Sequence, residues 1–429
     1  MESPLAAPRD PVAEIIAACK PLLDEGHRLP REPDAVNLTA FALRSKLDAL
    51  ASGTFSFLRG TFHLMAADLL QGRVPGWTPL APLGFAVGDL HLENFGTYRG
   101  ASGALCFDVN DFDDVGLGPL DLDLKRLCTS AMLLPGVDRA TRVAAAGRIA
   151  HAWADAVERV GGRFPIAAWG VEKAEGLLQD LLREKGRRTI ADLLAKAAPG
   201  KGHRRLGEDG DPPRFARAAK PWPERVEAGL AEYFENLAKL KADVPGKGWE
   251  PLDVAYWFKG TGSLGRLRFA VLLGKGDERM MIELKEARPS AMELACGRQV
   301  RATQRALVQT AAIRRLQGDP WPRVAGTHLG KLPALGREIE PEEEKIQCER
   351  FAGARDDQLF AYARQCGEVL ARLHCRVNAP VLLDAAWSPA EAARAAVSFA
   401  ESYAGVVEAD WRAFVEARSR IAQELALPA

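Results

Sequence analysis

The sequence lacks the features that mark several large classes of protein. Its seven cysteines include no Cys-x-x-Cys pair and are odd in number, which argues against a disulfide framework and for reduced thiols in the core. No apolar run reaches the length of a membrane span, and acidic residues near the N-terminus do not fit a signal peptide. No internal repeat is present. We therefore expect a cytoplasmic protein without a membrane partner.

An excess of charge of either sign is also absent. Lys plus Arg and Asp plus Glu both number 57, so the formal net charge is zero. No global field attracts nucleic acid, and any polyanion must be bound by a local site. The length of 429 residues suffices for two domains or one bilobed unit. The sequence predicts no nucleic-acid partner and carries no signal for an oligomeric state.

What the sequence does contain is a compact β region inside a mostly helical chain. Residues 254–258 (VAYWF), 266–273 (RLRFAVLL) and 279–285 (RMMIELK) are separated by glycine turns, as expected of three antiparallel strands. Elsewhere apolar residues recur every three or four positions, which predicts helices. We expect FSFLRG (55–60) to form a turn between two helices. Residues 197–224, dense in Gly, Pro and charge, are predicted to be a surface linker.

The turn between the first two strands, KGTGSLG, has the composition of a loop that covers phosphates. Gly260, Gly262 and Gly265 surround Ser263 and leave no Cβ between the backbone amides and a ligand. A strand follows rather than a helix, so this is not the dinucleotide-binding fingerprint. Lys285 ends the third strand, where its ammonium could reach the α- and β-phosphates of a nucleotide. Taken alone, the loop could be a plain hairpin turn and the lysine a charged edge-strand residue.

A helix is predicted over residues 290–317, directly after the strand lysine. In protein kinases a glutamate from such a helix holds the strand lysine. Glu293 lies in the first turns of the predicted helix, whereas Glu286 would point to the opposite face of the strand from Lys285. We therefore expect Glu293 to pair with Lys285 in the nucleotide site.

Acidic and amide residues form a second cluster, some 170 residues before the glycine loop. Asp89 and Asn94 in VGDLHLENFG have the spacing of a D-x-x-x-x-N catalytic loop, in which Asp orients the attacking hydroxyl and Asn holds a metal. Asp111 and Asp113 follow a short predicted strand, LCFDV (105–109). Carboxylate oxygens suit Mg²⁺, so we predict metal binding by Asn94, Asp111 and Asp113.

Each acidic motif also has a simpler explanation. GDLH could be a helix cap with a buried histidine, and NDFDD could be a solvated turn or a small calcium loop. Asp89, His91, Asp108 and Asp111 could instead form the site of a metal-dependent hydrolase, which would leave Lys285 remote. The coincidence of both clusters in one chain favours phosphoryl transfer.

The two clusters occur in the reverse of the usual kinase order, because the catalytic loop precedes the glycine loop. The sequence LARLH (370–374), in a predicted helix over 361–377, resembles the segment that precedes the GDLH loop in small-molecule kinases. We therefore predict an α+β fold of the protein-kinase-like bilobal type, circularly permuted, mostly helical with one small antiparallel β lobe. His374 is expected to pack under the catalytic loop.

The permuted fold divides the chain into four predicted segments. They are an N-terminal helical extension (1–40), a helical lobe with the catalytic and metal loops (41–250), a β-rich nucleotide-binding lobe (251–345) and a helical segment that completes the helical lobe (346–429). Residues 321–345 are expected to include the hinge that meets the adenine.

Five motifs resemble the bacterial family called domain of unknown function 2252, over roughly residues 40–415. They are FSFLRG, VGDLHLENFG, FDVNDFDDVGLGPLDLDLKRL, GTGSLGRLRF and IELKEARPS. The acidic motifs also resemble the aminoglycoside phosphotransferase and choline kinase branch of the kinase-like superfamily, although Val87 stands where that branch has a His. This branch implies a structural role for Asp121 or Asp123. The family signature implies a role for Arg59, either as a phosphate donor or paired with a core carboxylate.

These features together predict an ATP- and Mg²⁺-dependent phosphotransferase that acts on an unidentified hydroxyl acceptor. Asp89 would orient the acceptor, Asn94 and Asp111 would hold Mg²⁺, and Lys285 would bind the α- and β-phosphates of ATP. Two alternatives stay open. One is nucleotidyl (AMP) transfer on the same fold, and the other is a nucleotide-binding regulatory protein without turnover.

Overall fold

The computed structural model describes residues 10–24, 28–31, 36–70, 82–160, 162–163, 165–208, 213–295, 304–382 and 387–428. The helices are α1 (Pro11–Cys19), α2 (Leu38–Ala51), α3 (Thr54–Gly60), α4 (Phe62–Leu70), α5 (Leu120–Met132), α6 (Arg139–Val160), α7 (Gly176–Lys185), α8 (Ile190–Ala197), α9 (Trp222–Lys239), α10 (Ala291–Ala295), α11 (Arg305–Leu316), α12 (Asp356–Leu382) and α13 (Pro389–Glu424). The strands are β1 (Leu83–Ala86), β2 (Phe95–Arg99), β3 (Leu105–Val109), β4 (Gly116–Pro119), β5 (Phe215–Ala216), β6 (Glu250–Trp257), β7 (Arg268–Lys275), β8 (Glu278–Glu286), β9 (Val324–Leu329), β10 (Leu332–Glu338) and β11 (Glu344–Lys345).

The fold is mixed helix and sheet, with helix in the majority at 54% against 17% strand, as the sequence predicted. None of the helices in the described ranges is long and apolar enough to cross a membrane. The six cysteines in these ranges are all buried and none forms a disulfide, which confirms the expected core thiols. Cys296 lies outside the described residues.

A six-stranded sheet has the strand order β5-β6-β7-β8-β10-β9, and all its neighbouring strands are antiparallel. β6, β7 and β8 are the three strands predicted from the sequence, within a few residues at each end. Residues 321–345, which were expected to include a hinge, first form the β9–β10 hairpin. The chain then leaves this sheet, and β11 pairs with β2 in a second sheet.

The two faces of the six-stranded sheet differ because side chains alternate along each strand. On β8, Ile282 and Leu284 join the apolar core that packs against α9. Met281 joins a smaller apolar core on the other face. Further along β8 the same face presents two buried charged residues, Glu283 and Lys285. The charged end of this second face therefore becomes a wall of a cleft.

The helical part of the molecule is built from both ends of the chain. α5 and α6 pack against α12 and α13, which lie more than 200 residues later in the sequence. Two small sheets, β1-β4 and β11-β2-β3, lie beside these helices. The expectation of one β region was therefore too simple, because short strands flank the acidic loops.

Three segments differ from the local predictions. FSFLRG forms helix α3 rather than a turn, because Phe55, Phe57 and Leu58 all bury their side chains on one short helix. The predicted linker contributes β5, which pairs with β6 and is buried, while residues 209–212 lie outside the described ranges. The predicted helix after β8 is described as α10 and α11, and residues 296–303 between them lie outside the described ranges.

The carboxylate of Asp123 anchors the loop that follows β1. Its two oxygens accept the backbone N–H groups of Val87 at 2.7 Å and Gly88 at 2.8 Å. His374 of α12 contacts the same carboxylate, with its Nε2 atom 2.9 Å from Oδ2, and Trp153 donates to the other ring nitrogen. Asp123 and His374 are both completely buried. The structural roles expected for Asp123 and His374 are thus consistent with these contacts.

A second buried carboxylate, Glu283 of β8, joins three strands of the large sheet. It forms ion pairs with Arg268 of β7 and with Arg337 of β10, whose Nε atom lies 2.8 Å from Oε2. Burial would raise the pKa of Glu283, but the two guanidinium groups hold it well below its usual range. The strand ends that line the cleft are therefore fixed by charge as well as by backbone pairing.

Substituting Asp123→Ala removes the acceptor of two buried N–H groups and the partner of a buried histidine. We expect the free energy of unfolding to fall by about 3 kcal/mol or more, because buried donors without partners each cost about 1–3 kcal/mol. Urea unfolding followed by circular dichroism measures this loss. Asp155→Ala, at an exposed site on α6, is the matched control and should leave the midpoint nearly unchanged. An equal effect of the two substitutions would contradict the assigned role.

Substituting Glu283→Gln leaves two buried guanidinium groups without their shared carboxylate. We expect a loss of about 3–5 kcal/mol in the free energy of unfolding at pH 7. Because the folded-state pKa of Glu283 is lowered, its contribution is fully present above the ordinary value of 4.5 and decreases below it. The difference from wild type should therefore narrow as the pH falls below 4.5. A difference that stays constant down to pH 3 would refute this account, and Glu278→Gln on the same strand is the exposed control.

Candidate active site

A cleft of about 790 Å³ lies where the charged end of the six-stranded sheet meets the helical part. The residues that line it come from both regions and include most of the predicted site: Arg59, Asp89, Asn94, Asp111, Asp113, Gly260, Gly262, Ser263 and Lys285. Gly265 and Glu293 are not among the lining residues. The structure therefore brings together the predicted catalytic loop (residues 87–96), the acidic turn (residues 110–114), the glycine loop (residues 259–265) and Lys285.

The backbone of the catalytic loop is held from below by α5 and α12. Gly88 has a φ of 92°, and a Cβ at this position would lie 2.6 Å from the carbonyl oxygen of Asp114, so only glycine fits. The buried Tyr362 of α12 donates its hydroxyl to the carbonyl oxygen of Leu92. Val87 is buried and contributes its backbone N–H to Asp123.

Asp89 projects from this loop into the cleft and is held by Arg126 of α5. Arg126 is completely buried and donates two N–H groups to Oδ1 of Asp89, one of them at 2.9 Å, and another bond to the carbonyl oxygen of Leu58. The other oxygen, Oδ2, faces the glycine loop, since a Cβ on Gly262 would lie 3.8 Å from it. Burial raises the pKa of Asp89 to about 6, although Arg126 acts in the opposite direction.

Sequence reasoning missed Arg126, although a signal for it was present. Arg126 follows Asp123 by three positions in DLDLKRL, so both side chains lie on one face of a helix. One of them fixes the backbone of the catalytic loop and the other fixes its aspartate.

Asn94 has a fixed side-chain amide whose oxygen has no hydrogen-bond partner among the described residues. Its Nδ2 group donates to the carbonyl oxygen of Asp89 at 2.9 Å, which fixes the amide orientation. Its Oδ1 atom is buried and has no hydrogen-bond partner in the described part of the chain. The carbonyl oxygen of Asn94 accepts the N–H of Asn110, which ties the catalytic loop to the acidic turn. A buried, unused amide oxygen next to carboxylates fits a hard cation such as Mg²⁺.

The acidic turn places Asp111 and Asp113 differently. Burial and the neighbouring charge of Asp113 raise the pKa of Asp111. Burial would also raise the pKa of Asp113, but Lys285 and Arg266 together bring it below its usual value. Within the described residues no group of three or more His, Cys, Asp or Glu side chains is arranged to hold a metal. A site on Asn94 and Asp111 would therefore leave most of a Mg²⁺ coordination shell to water and phosphate, which is usual for this ion.

Lys285 meets the acidic turn directly. Its Nζ atom forms an ion pair with Oδ2 of Asp113, and Arg266 lies 3.1 Å from the same oxygen. Lys285 and Arg266 each lie more than 150 positions after Asp113 in the sequence. The side chain of Lys285 is about 10% exposed, so its ammonium is mostly enclosed by the cleft.

The predicted pair between Lys285 and Glu293 is wrong. Glu293 instead pairs with Arg305 of α11 at 3.2 Å. The reason lies at the start of α10, where the side chain of Asp114 accepts the N–H of Ala291 at 2.8 Å. This contact fixes the start of the short helix at the acidic turn.

Arg59 follows the second of its two predicted roles. It pairs with the buried carboxylate of Glu93 at 2.9 Å, and Glu93 also accepts from Lys345 and from the N–H of Cys348. Arg59 thus joins the helices to β11 and the segment after it, although it also lines the cleft.

The glycine loop closes over the cleft from the sheet side. Gly260 and Gly265 have φ values of 77° and 92°, which favour glycine. Between them lies a single turn of 3-10 helix, Thr261–Ser263, and the hydroxyl of Ser263 donates to the carbonyl oxygen of Lys259. The side chain of Ser263 therefore shapes the loop.

The hydrolase site considered from the sequence does not assemble. Asp108 is buried, accepts the N–H of Gly318 at 3.0 Å and pairs with Arg376. His91 accepts the N–H of Glu93 and caps the short helix that follows. Lys285, which a hydrolase would leave remote, lies in the cleft.

Comparison with known proteins gives a family but no activity. No match was found among curated proteins or among solved structures. One family model, described as an uncharacterized protein conserved in bacteria (DUF2252), matches residues 39–417. This range covers most of the chain and agrees with the range of the sequence resemblance. The chain therefore belongs to the bacterial family DUF2252, domain of unknown function 2252.

Proposed function

We propose that this protein is an ATP- and Mg²⁺-dependent phosphotransferase that acts on a hydroxyl-bearing acceptor. The observation that carries this proposal is the meeting of Lys285 with the acidic turn, beside Asp89 and beneath the glycine loop. A lysine, an acidic metal turn, an aspartate and a glycine loop are the parts that phosphoryl transfer requires in one cleft.

Each side chain has a role that follows from its contacts. Asp89 would accept a hydrogen bond from the acceptor hydroxyl through Oδ2, because Arg126 occupies Oδ1. Lys285 would exchange its contact with Asp113 for the phosphates of the nucleotide. Asn94 and Asp111 would hold Mg²⁺, which when bound neutralises phosphate charge. Most of the catalytic effect would come from positioning and charge neutralisation.

The same proposal includes a circularly permuted, protein-kinase-like fold with ATP under the glycine loop. It is supported by the strand, glycine loop, strand, strand and lysine order of β6, β7 and β8. Further support comes from α12, which follows the β-rich segment in the chain and returns to hold the catalytic loop through His374. An order in which the loop precedes its supporting helix is what a permuted chain requires.

Nucleotide binding and turnover should respond to different substitutions. We expect Lys285→Met to weaken binding of Mg-ATP at least tenfold, and Asp89→Asn to leave binding intact while lowering turnover about 10²–10⁴-fold. Binding is measured by thermal shift, and products by chromatography and intact mass, where released ADP indicates phosphoryl transfer, and released pyrophosphate with AMP attached to the acceptor indicates nucleotidyl transfer. Lys275→Met, at an exposed position of β7, is the control.

Three outcomes of this experiment have distinct meanings. A wild-type protein that binds no nucleotide rules out the proposal. Binding without release of ADP or pyrophosphate, with a bacterial extract supplying the acceptor, favours the regulatory nucleotide-binding alternative. Release of pyrophosphate, with a gain of one AMP group in the mass of the acceptor, identifies the nucleotidyl transferase.

Turnover should also depend on the protonation of Asp89. Because burial raises its pKa to about 6, the carboxylate becomes neutral below that pH and no longer accepts the hydroxyl proton. We expect kcat/KM, which reports the ionisation of the free enzyme, to fall about tenfold per pH unit below pH 6 and to level off above it. A rate that stays constant between pH 8 and pH 5 would show that Asp89 does not act as the acceptor of this proton.

A further inference from the structure

Most lysine and arginine side chains that line the cleft are paired with carboxylates. Lys285 and Arg266 share Asp113, and Arg268 and Arg337 share Glu283. Two lysines differ from the rest: within the described ranges, neither Lys46 nor Lys259 forms an ion pair. Cations that remain unpaired in a partly enclosed cleft are candidates for contact with an anionic ligand.

Lys46 extends from α2 to the tip of the glycine loop. Its Nζ atom donates a hydrogen bond of 3.0 Å to the carbonyl oxygen of Gly262. A lysine ammonium has three N–H donors, so this bond leaves further donors for a ligand. A Cβ on Gly262 would lie 3.8 Å from Oδ2 of Asp89, which places the tip of the loop, and Lys46 with it, beside the aspartate.

Lys259 lies at the opposite end of the same loop. Its backbone carbonyl accepts a bond from Arg268, and its Nζ atom lies 4.4 Å from the centre of the Trp257 ring. Burial lowers the pKa of Lys259 to about 8, a value at which most of the side chain is still charged at neutral pH. The glycine loop is thus flanked by one unpaired lysine at its base and one at its tip.

The catalytic loop itself supplies no cation for the transferred group. The residues between Asp89 and Asn94 are Leu, His, Leu and Glu, and His91 is buried with its Nδ1 atom engaged by the N–H of Glu93. A phosphoryl group in transfer carries negative charge that a nearby cation stabilises. A side-chain cation beside Asp89, in addition to Mg²⁺ and Lys285, would have to come from another element, and Lys46 lies at that position.

We infer that Lys46 binds the terminal phosphate of a nucleoside triphosphate and stays in contact with that phosphate during its transfer to the acceptor. The inference rests on the proposed function, and it adds a catalytic residue and a direction for the nucleotide. The terminal phosphate would lie at the tip of the loop beside Asp89, and Lys259 at the base would lie closer to the inner phosphates. This direction corresponds to phosphoryl transfer, because nucleotidyl transfer would place the α-phosphate beside Asp89.

A comparison of ATP with ADP tests this assignment in the full-length chain with Mg²⁺ present. Calorimetry would give Kd for both nucleotides with the wild type, Lys46→Met, Lys46→Arg and Lys259→Met. We expect Lys46→Met to weaken ATP binding about tenfold or more and ADP binding less than about twofold, since a bond to a charged group is lost only with ATP. Lys46→Arg should retain the preference for ATP, and Lys259→Met should weaken both nucleotides alike.

Other results would overturn the assignment. Equal weakening of ATP and ADP by Lys46→Met would place Lys46 on an inner phosphate, as in a nucleotide bound for nucleotidyl transfer. Unchanged binding of both would show that Lys46 serves only to hold the glycine loop. In either case the wild type still binds nucleotide and the proposed function stands, whereas a wild type that binds neither nucleotide removes both. Lys331→Met, in the exposed turn between β9 and β10, controls for the loss of a charge.

Discussion

The buried contact between Asp123 and the catalytic loop is the constraint on which the candidate site depends. A carboxylate that accepts two consecutive backbone N–H groups fixes the direction of the loop before any ligand is present. His374 holds the second side of the same carboxylate, and Arg126, one helical turn further along α5, fixes Asp89. A single helix thus orients both the backbone of this loop and the side chain of Asp89.

Most of the lysine and arginine side chains in the cleft form ion pairs with carboxylates. Lys285 and Arg266 neutralise Asp113, while Glu283 neutralises Arg268 and Arg337. Burying a paired charge costs less free energy than burying an isolated one. A phosphate ligand could therefore replace a carboxylate as the partner of a lysine or arginine side chain that is already in position. Because its positive and negative side chains are paired, the cleft can contain many charged groups although the formal net charge of the chain is zero.

Sequence reasoning succeeded where a local pattern decides the structure. The three strands and the glycine loop follow from alternation and turn residues, and the spacing of Asp89 and Asn94 follows from the motif itself. It failed where the partner lies far away in the chain. Glu293 was assigned to Lys285 by analogy, but the carboxylate that pairs with Lys285 is that of Asp113, more than 150 residues upstream. Arg59 had two open roles because nothing local indicates that Glu93 is its partner. Lys46 went unnoticed because an isolated helical lysine has no motif.

The contact between His374 and Asp123 also determines when the site can exist during synthesis. The predicted catalytic loop, with Asp89, and the acidic turn all lie within the first third of the chain and are therefore synthesised early. The histidine that completes their support is translated about 250 residues later. At typical elongation rates of about 5–20 residues per second, that interval lasts at least about ten seconds. A nascent chain cannot complete the support of its catalytic loop before most of the protein has been made.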